Sequence, residues 1–329
     1  MQRREFITLL GGAAAAWPLA ARAQRTDRVQ RIGVLLGYAQ SDQEVQSRVV
    51  AFQKKLQELG WIVGRNIQID FRFSGTEPGR IQADAAELVR QAPDVMFASP
   101  GQVVLALQQA THSIPIVFAN VPDPVGIGLV KNLAHPGGNV TGFTSTESEL
   151  AGKWLEALRE IAPGVTEVAI IYSPANPAWR GRLRVLEAVA PSLGVHLTPV
   201  GFRDADEINR AIAAWVNGSK CGVILLPSVS TMAYRETVVA LAARYRLPAM
   251  YPWGFVARSG GLMSYGIDVT DQYQEAATYV DRILKGERAA DLPVQAADKF
   301  ELVINLKTAK ALGLTVPPGL LVRANDIIE

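Results

Sequence analysis

The feature that most constrains this 329-residue chain is an alternation of strand-like and helix-like segments that runs through once and then begins again. From Arg31 the run RIGVLL reads as a buried strand. A helix comes next, marked by Val45, Val49, Phe52, Leu56 and Leu59 at alternating four- and three-residue spacing and closed by Gly60. A strand over 66–73, a helix over 80–91, a strand over 94–99, a helix over 102–113 and a strand over 114–119 succeed it. The order restarts at Val168 with the strand VAIIYS, then a helix over 182–193 closed by Gly194 and a strand over 196–202. A helix over 204–217, a strand over 221–226, a helix over 231–246 and a strand over 247–251 complete it. Alternating β and α segments of this kind give a parallel sheet covered by helices on both faces. Stated twice, the pattern predicts an α/β protein of two Rossmann-like lobes in tandem. Local wording repeats too: the stretch 113–118 answers 246–251, and Gly137-Gly138 answers Gly260-Gly261.

Beyond the second lobe the chain continues through a strand over 262–265, a helix over 269–284, a strand-like 300–304, a helix over 306–312 and a Pro317-Pro318 tail. These pieces are too few for a third domain. They are expected to return to the two lobes, so that the chain crosses between them three times, near Thr144, Asp268 and Asp298. The first lobe is then 29–143 with 268–297, and the second 144–267 with 298–329. Several crossings let two rigid bodies rock about a few loop residues without losing alignment, which is a hinge.

The N-terminus reads as a removable leader over residues 1–23. Gln2-Arg3-Arg4-Glu5-Phe6-Ile7 precedes a mildly apolar run from Thr8 to Ala20, and Ala21-Arg22-Ala23 has the small-x-small form that signal peptidase cuts. The paired arginines suit twin-arginine export. The apolar run carries Gly11, Gly12 and Pro18 and is too short to span a membrane. No cysteine stands after the cut, so no lipid anchor is expected, and the mature chain, starting near Gln24, is placed in the periplasm as a monomer. Cleavage removes Arg3, Arg4 and Arg22 against Glu5 from totals of 33 basic and 31 acidic residues, leaving a neutral chain. Neutrality argues against nucleic acid and anionic lipid as partners. Cys221, the single cysteine, sits in an apolar run and reads as a core thiol, so the fold rests on apolar packing rather than on disulfides.

In open parallel sheets a ligand lies beyond the carboxyl ends of the strands, where loops enter helix N-termini. That rule selects the loops 37–40, 99–101 and 120–123 in the first lobe, 173–176, 227–228 and 252–253 in the second, and 265–268 at the hinge. Ser99, with the backbone amides around Gly101, suits a carboxylate or another anionic group, or else caps a helix. Asp123, between two prolines, suits an ammonium or a sugar hydroxyl, or else caps a helix after it. Asp268, at a crossing, would meet ligand only on closure, or would lock the hinge. Tyr38, Tyr172, Tyr251 and Trp253 offer flat walls for a ring or sugar face, or else are core. Asn120, Asn176 and Ser228 complete the candidate set, the last two with turn and cap explanations of their own. The segment 135–142 is rich in glycine, but it is read as coming after a helix and entering a strand-like crossing, the reverse of a phosphate loop.

The stretches DPVGIGLVKNLAHPGGNVTGFT (123–144), GRNIQIDFR (64–72) and NLKTAKALGLTVPPGLLVRANDIIE (305–329) resemble the ABC-transporter substrate-binding family within the type I periplasmic-binding superfamily. The resemblance covers essentially the whole mature chain. It implies a two-lobed hinged fold that closes like a flytrap on a small organic ligand, with permease and ATPase subunits of an importer as partners. Aromatic amino acids are the ligands described for some relatives.

Enzyme readings have less behind them. His112, His135 and His196 are far apart and imply no metal, and no cofactor motif stands after the first strand, where Gly37-Tyr38-Ala39 is found. A two-lobed glycosyltransferase is the alternative that also sets a cleft between similar lobes. A transcription regulator built on the same lobes would carry a DNA-binding helical unit where this chain carries a leader.

Overall fold

The computed structural model describes residues 28–145, 150–216 and 220–329. The expected leader over 1–23 lies outside the described residues.

The first run of strands is β1 (Gln30–Leu36), β2 (Ile67–Phe73), β3 (Val95–Ser99), β4 (Ile116–Val121) and β5 (Val140–Thr144). The second is β6 (Glu167–Tyr172), β7 (His196–Gly201), β8 (Cys221–Leu225), β9 (Ala249–Tyr251) and β10 (Met263–Ile267). Three short strands come last: β11 (Gln295–Ala296), β12 (Phe300–Asn305) and β13 (Asp326–Ile328). They build two sheets, ordered β11-β5-β4-β3-β1-β2 and β13-β12-β10-β9-β8-β6-β7. The sheets repeat one plan, since β2-β1-β3-β4-β5 answers β7-β6-β8-β9-β10. All pairings are parallel except that of β10 with β12. The similar wording at 113–118 and 246–251 thus marks equivalent strands, β4 and β9.

Each sheet is apolar on both faces, as strands buried between helix layers must be. On one face of the first sheet, Val34, Leu36 and Phe97 pack with Val45, Phe52 and Tyr273 from the helices Gln43–Glu58 and Val269–Leu284. On its other face, Leu35, Met96 and Phe118 pack with Ile81, Leu88 and Val104 from the helices Pro78–Arg90 and Gly101–Ala110. The second sheet is covered on one face by the helices Leu150–Ile161 and Trp179–Val189, and on the other by Ala205–Trp215 and Arg235–Arg244.

The chain passes from the first sheet to the second after β5, back after β10, and to the second again between β11 and β12. The expected α/β architecture of two lobes joined by three crossings is what the protein adopts. The crossings are tied to one another by hydrogen bonds: Gln272 Nε2 donates to Thr144 O at 3.1 Å, Ala297 N to Thr144 O at 3.2 Å, and Asp268 N to Lys299 O at 3.0 Å.

Three local expectations fail: a helix after Asp123, a crossing entered directly from the glycine-rich segment, and one unbroken helix over 231–246. The segment after Asp123 is a run of turns rather than a helix, because Leu129 N and Val130 N both donate to Pro124 O and Gly128 takes φ 77°. Its glycine-rich end, 135–139, enters β5 inside the first sheet, one strand before the crossing. The helix expected over 231–246 is two, Val229–Ala233 and Arg235–Arg244, broken at Tyr234, whose ring packs edge-on against Phe202 at 5.6 Å. The Pro317-Pro318 tail is ordered: Pro318 opens the helix Pro318–Arg323, where its missing N–H costs nothing, and β13 then pairs with β12.

Candidate functional site

A bulge sets the first part of the site. β4 pairs Ala119 with Phe143 and then Val121 with Thr144, so Asn120 is the extra residue, held in the left-handed region at φ 57°. Asparagine tolerates that conformation better than most side chains, and a bulge re-aims the residue it carries. Gln272 fixes the arrangement by accepting from Asn120 N at 2.9 Å while donating to the first crossing at Thr144. The Asn120 amide is thereby turned to donate to Tyr38 Oη at 3.3 Å, and that hydroxyl lies 3.5 Å from Ser99 Oγ. Tyr38, Ser99 and Asn120, from three different strand ends, form one polar cluster at the carboxyl edge of the first sheet. Tyr273 stands behind it, its ring edge-on to Phe97 at 4.9 Å. Burial pushes the Tyr273 phenol above its usual range, Tyr38 adds to the effect, and Arg48 and Ser99 oppose it.

The other candidates are spread more widely. Gly101 opens the helix Gly101–Ala110, where an added Cβ would stand 3.3 Å from Val121 Cγ1. Asp123 is exposed, has φ 46°, and accepts from Gly126 N at 2.9 Å. The Tyr172 ring packs against Trp179, tilted by 30° with ring centroids 4.2 Å apart. Asn176 accepts from Ala178 N and donates to Pro227 O, joining the loops after β6 and β8, while Ser228 caps the helix Val229–Ala233 by accepting from Thr231 N. Trp253 is buried beside Phe255, with ring centroids 6.0 Å apart, and Tyr251 is buried in the core. Asp268 caps the helix Val269–Leu284, accepting from Asp271 N at 3.0 Å.

The two lobes meet at the mouths of these loops. Asp42, after β1, accepts from Arg235 Nη1 at 2.7 Å, and Arg235 sits at the start of the second lobe's helix Arg235–Arg244. Phe255 lies between two cations, with Arg235 5.4 Å and Arg48 5.7 Å from its ring centroid. A cavity of about 200 Å³ opens here, lined from the first lobe by Glu44 and Arg48, from the second by Trp253 and Phe255, and from the crossing by Asp268 and Thr270. Apolar rings beside a few convergent charges between two domains are the setting in which small organic molecules bind. Burial raises the Glu44 carboxyl above its usual range; Arg48, Arg235 and Arg258 oppose this and Asp42 adds to it.

Arg48, Phe255, Gln272 and the Asp42–Arg235 pair did not emerge from sequence reasoning. For Arg48 a signal existed: positions 45, 48, 49 and 52 form one helical stripe, and an arginine interrupts its three apolar members. For the others, the partner lies too far along the chain to be read from spacing.

Comparison with known proteins gives the same answer. Residues 40–328 match the family described as ABC transporter substrate binding protein. A tyrosine-binding protein of Clostridioides difficile is 29% identical over 264 residues, covering 80% of this chain and 75% of that protein. The ABC domain from Streptococcus pneumoniae, solved in complex with L-Trp, superposes with a TM-score of 0.82 at 25% identity, covering 91% of this chain and 99% of the other. A conserved domain protein from Vibrio cholerae superposes with a TM-score of 0.82 at 27% identity, covering 91% and 100%. These findings lend nothing to the glycosyltransferase alternative. With two similar lobes, three crossings and a family match over most of its length, this chain belongs to the ABC transporter substrate-binding protein family.

Proposed function

We propose that this protein is exported, captures an aromatic amino acid between its lobes in the periplasm, and presents it to the permease of an ABC importer without altering it. The observation that carries the reading is the interlobe cavity itself, where Trp253 and Phe255 stand beside both acidic and basic side chains. A zwitterion with a flat apolar side chain needs that combination. The relative named for tyrosine and the solved relative holding L-Trp support the same ligand class.

On this reading Tyr38, Ser99 and Asn120 bind from the first lobe, Trp253 from the second and Asp268 from the crossing. Gly101, Asp123, Tyr172, Asn176 and Ser228 form the outer part of the site. The lobe boundaries are taken at the crossings near 144, 268 and 298, a reading supported by the division of strands between the two sheets. Twin-arginine export, cleavage near Ala23 and a monomeric state complete the proposal. Ligand would meet one lobe first and gain contacts from the other on closure, shifting the population of open and closed forms.

The test is isothermal titration of the purified mature chain with the amino acids and with a panel of sugars. L-tryptophan or L-tyrosine should bind with micromolar affinity or better, on the order of −8 kcal/mol. Binding of a sugar in preference to every amino acid would overturn the ligand class, and turnover of any ligand would overturn the receptor reading.

A further inference from the structure

Arg48 is 2% exposed. It lies on the inward stripe of the helix Gln43–Glu58, between Val45 and Val49. A guanidinium keeps its charge at any pH a protein tolerates, so this cation is buried in its charged form. Burying a charge is unfavourable unless opposite charge and hydrogen bonds meet it. Among the described residues, Arg48 Nη1 has no hydrogen-bond partner, and no carboxylate forms an ion pair with the side chain. The Phe255 ring lies 5.7 Å from it, and an aromatic face compensates only part of a desolvated charge.

The surroundings say what is missing. Arg48 lines the cavity of about 200 Å³ between the lobes, together with Trp253, Phe255 and Asp268. The other cation in that lining, Arg258, is already satisfied, since it donates at 2.7 Å to both Glu301 and Asp326. The Asp268 carboxylate accepts from the helix it caps. Glu44, four residues before Arg48 and in the same lining, feels the Arg48 charge, which draws its carboxyl down against burial, but among the described residues the two side chains form no hydrogen bond or close ion pair. One cation in the cavity therefore still needs an anion, and the rings beside it suit a flat side chain.

We infer that Arg48 receives the carboxylate of the bound ligand, an inference that rests on the reading of the cleft as an amino-acid site. The guanidinium fork matches a carboxylate with two parallel hydrogen bonds, and a buried site makes each of them stronger than in water. Arg48 would thereby set the class of ligand as well as the affinity. An aromatic amine or amide of the same shape would leave the guanidinium unpaired.

Titration calorimetry of the mature protein with L-tryptophan and L-tyrosine, and with tryptamine, tyramine and the two amino-acid amides, tests this. The wild type should prefer the amino acid over its amine or amide by about a hundredfold. Arg48→Met should lower amino-acid affinity by about a hundredfold and leave the amines where they were; Arg48→Lys should recover part of the loss. Without ligand, Arg48→Met should melt at or above the wild type, because it removes a buried charge that no hydrogen bond or close ion pair among the described residues meets. A lower ligand-free melting temperature would show a partner within the protein and overturn the inference. Equal binding of the amino acids to wild type and Arg48→Met would overturn it while leaving the ligand class standing. Failure of the wild type to bind either amino acid would defeat the ligand class and the inference together.

Discussion

Asp42 and Arg235 stand 193 positions apart in the chain, and their side chains meet at 2.7 Å where the first lobe faces the second. Each is mostly buried, with side-chain exposures of 13% and 16%. Asp42 also caps the helix Gln43–Glu58 by accepting from Glu44 N at 3.0 Å, and Arg235 donates to Met232 O at 2.8 Å, so both ends of the bridge are anchored within their own lobes. A pair anchored at both ends holds the two lobes together at small entropic cost.

Arg235→Gln removes the charge while keeping a side chain of similar reach, and it should favour the open form. Affinity for the ligand should fall about tenfold, which corresponds to about 1.4 kcal/mol. Small-angle scattering of the ligand-free variant should show a larger radius of gyration. An unchanged radius together with unchanged affinity would remove the pair from any part in closure.

Gln272 is buried at the centre of the crossings, with Asn120 N and Thr144 O as its two partners. Gln272→Ala leaves the Asn120 N–H without its acceptor and opens a small void, a loss of about 2–3 kcal/mol. Urea unfolding should show a lower midpoint with an unchanged slope. Because Gln272 also holds the Asn120 bulge, ligand affinity should fall in the same variant. Loss of stability with full affinity would separate the bulge from the site.

Much of the fold was legible because it depends on short-range patterns. The stripe at Val45, Val49, Phe52 and Leu56 lies within one helix, and the restart at Val168 announces the second sheet. The sequence marks the helix Val269–Leu284 to both ends, but the capping role of Asp268 is visible only in the structure. What failed locally did so where tertiary contacts decide, as at Tyr234 against Phe202. The site was legible only as a set of loops. Strand-end geometry selects Tyr38, Ser99 and Asn120, but their joining through Tyr38 Oη depends on a bulge that no residue pattern announces. Asp42 with Arg235, and Arg48 with Phe255, each need both lobes in place.

Two glycines should respond to alanine with opposite signs. At Gly266, near the end of β10, an added Cβ would stand 1.9 Å from the Pro252 carbonyl oxygen, a backbone atom that cannot turn aside. Gly266→Ala should cost on the order of 3 kcal/mol or prevent folding, since the loop carrying Trp253 must move. Gly181 is exposed within the helix Trp179–Val189 and has nothing within 4 Å of the added carbon. Gly181→Ala should raise stability by about 0.5–1 kcal/mol through helix propensity alone. Thermal melts monitored by circular dichroism read both, and a neutral Gly266→Ala would contradict the close approach of β10 to Pro252.

Glu44 gives a pH dependence whose sign is fixed by its surroundings. Burial raises its carboxyl above the ordinary value of 4.5, Asp42 acts in the same direction, and Arg48, Arg235 and Arg258 act against them. A carboxyl raised on folding binds its proton more tightly in the folded state. Its favourable contribution is therefore complete below the unfolded value and is lost as pH rises through the higher folded one. At a pH above the folded value the protein carries an ionised, half-buried carboxylate that the unfolded chain would hydrate freely. Glu44→Gln removes that disadvantage and should melt above the wild type at neutral pH. The difference should shrink as pH falls and the wild-type carboxyl takes up its proton at a higher pH than it would in the unfolded chain. Melting temperatures of the pair between pH 4 and pH 8 decide the matter. A variant less stable than the wild type at pH 7 would mean that the three arginines outweigh burial, and that Glu44 already has a partner among them.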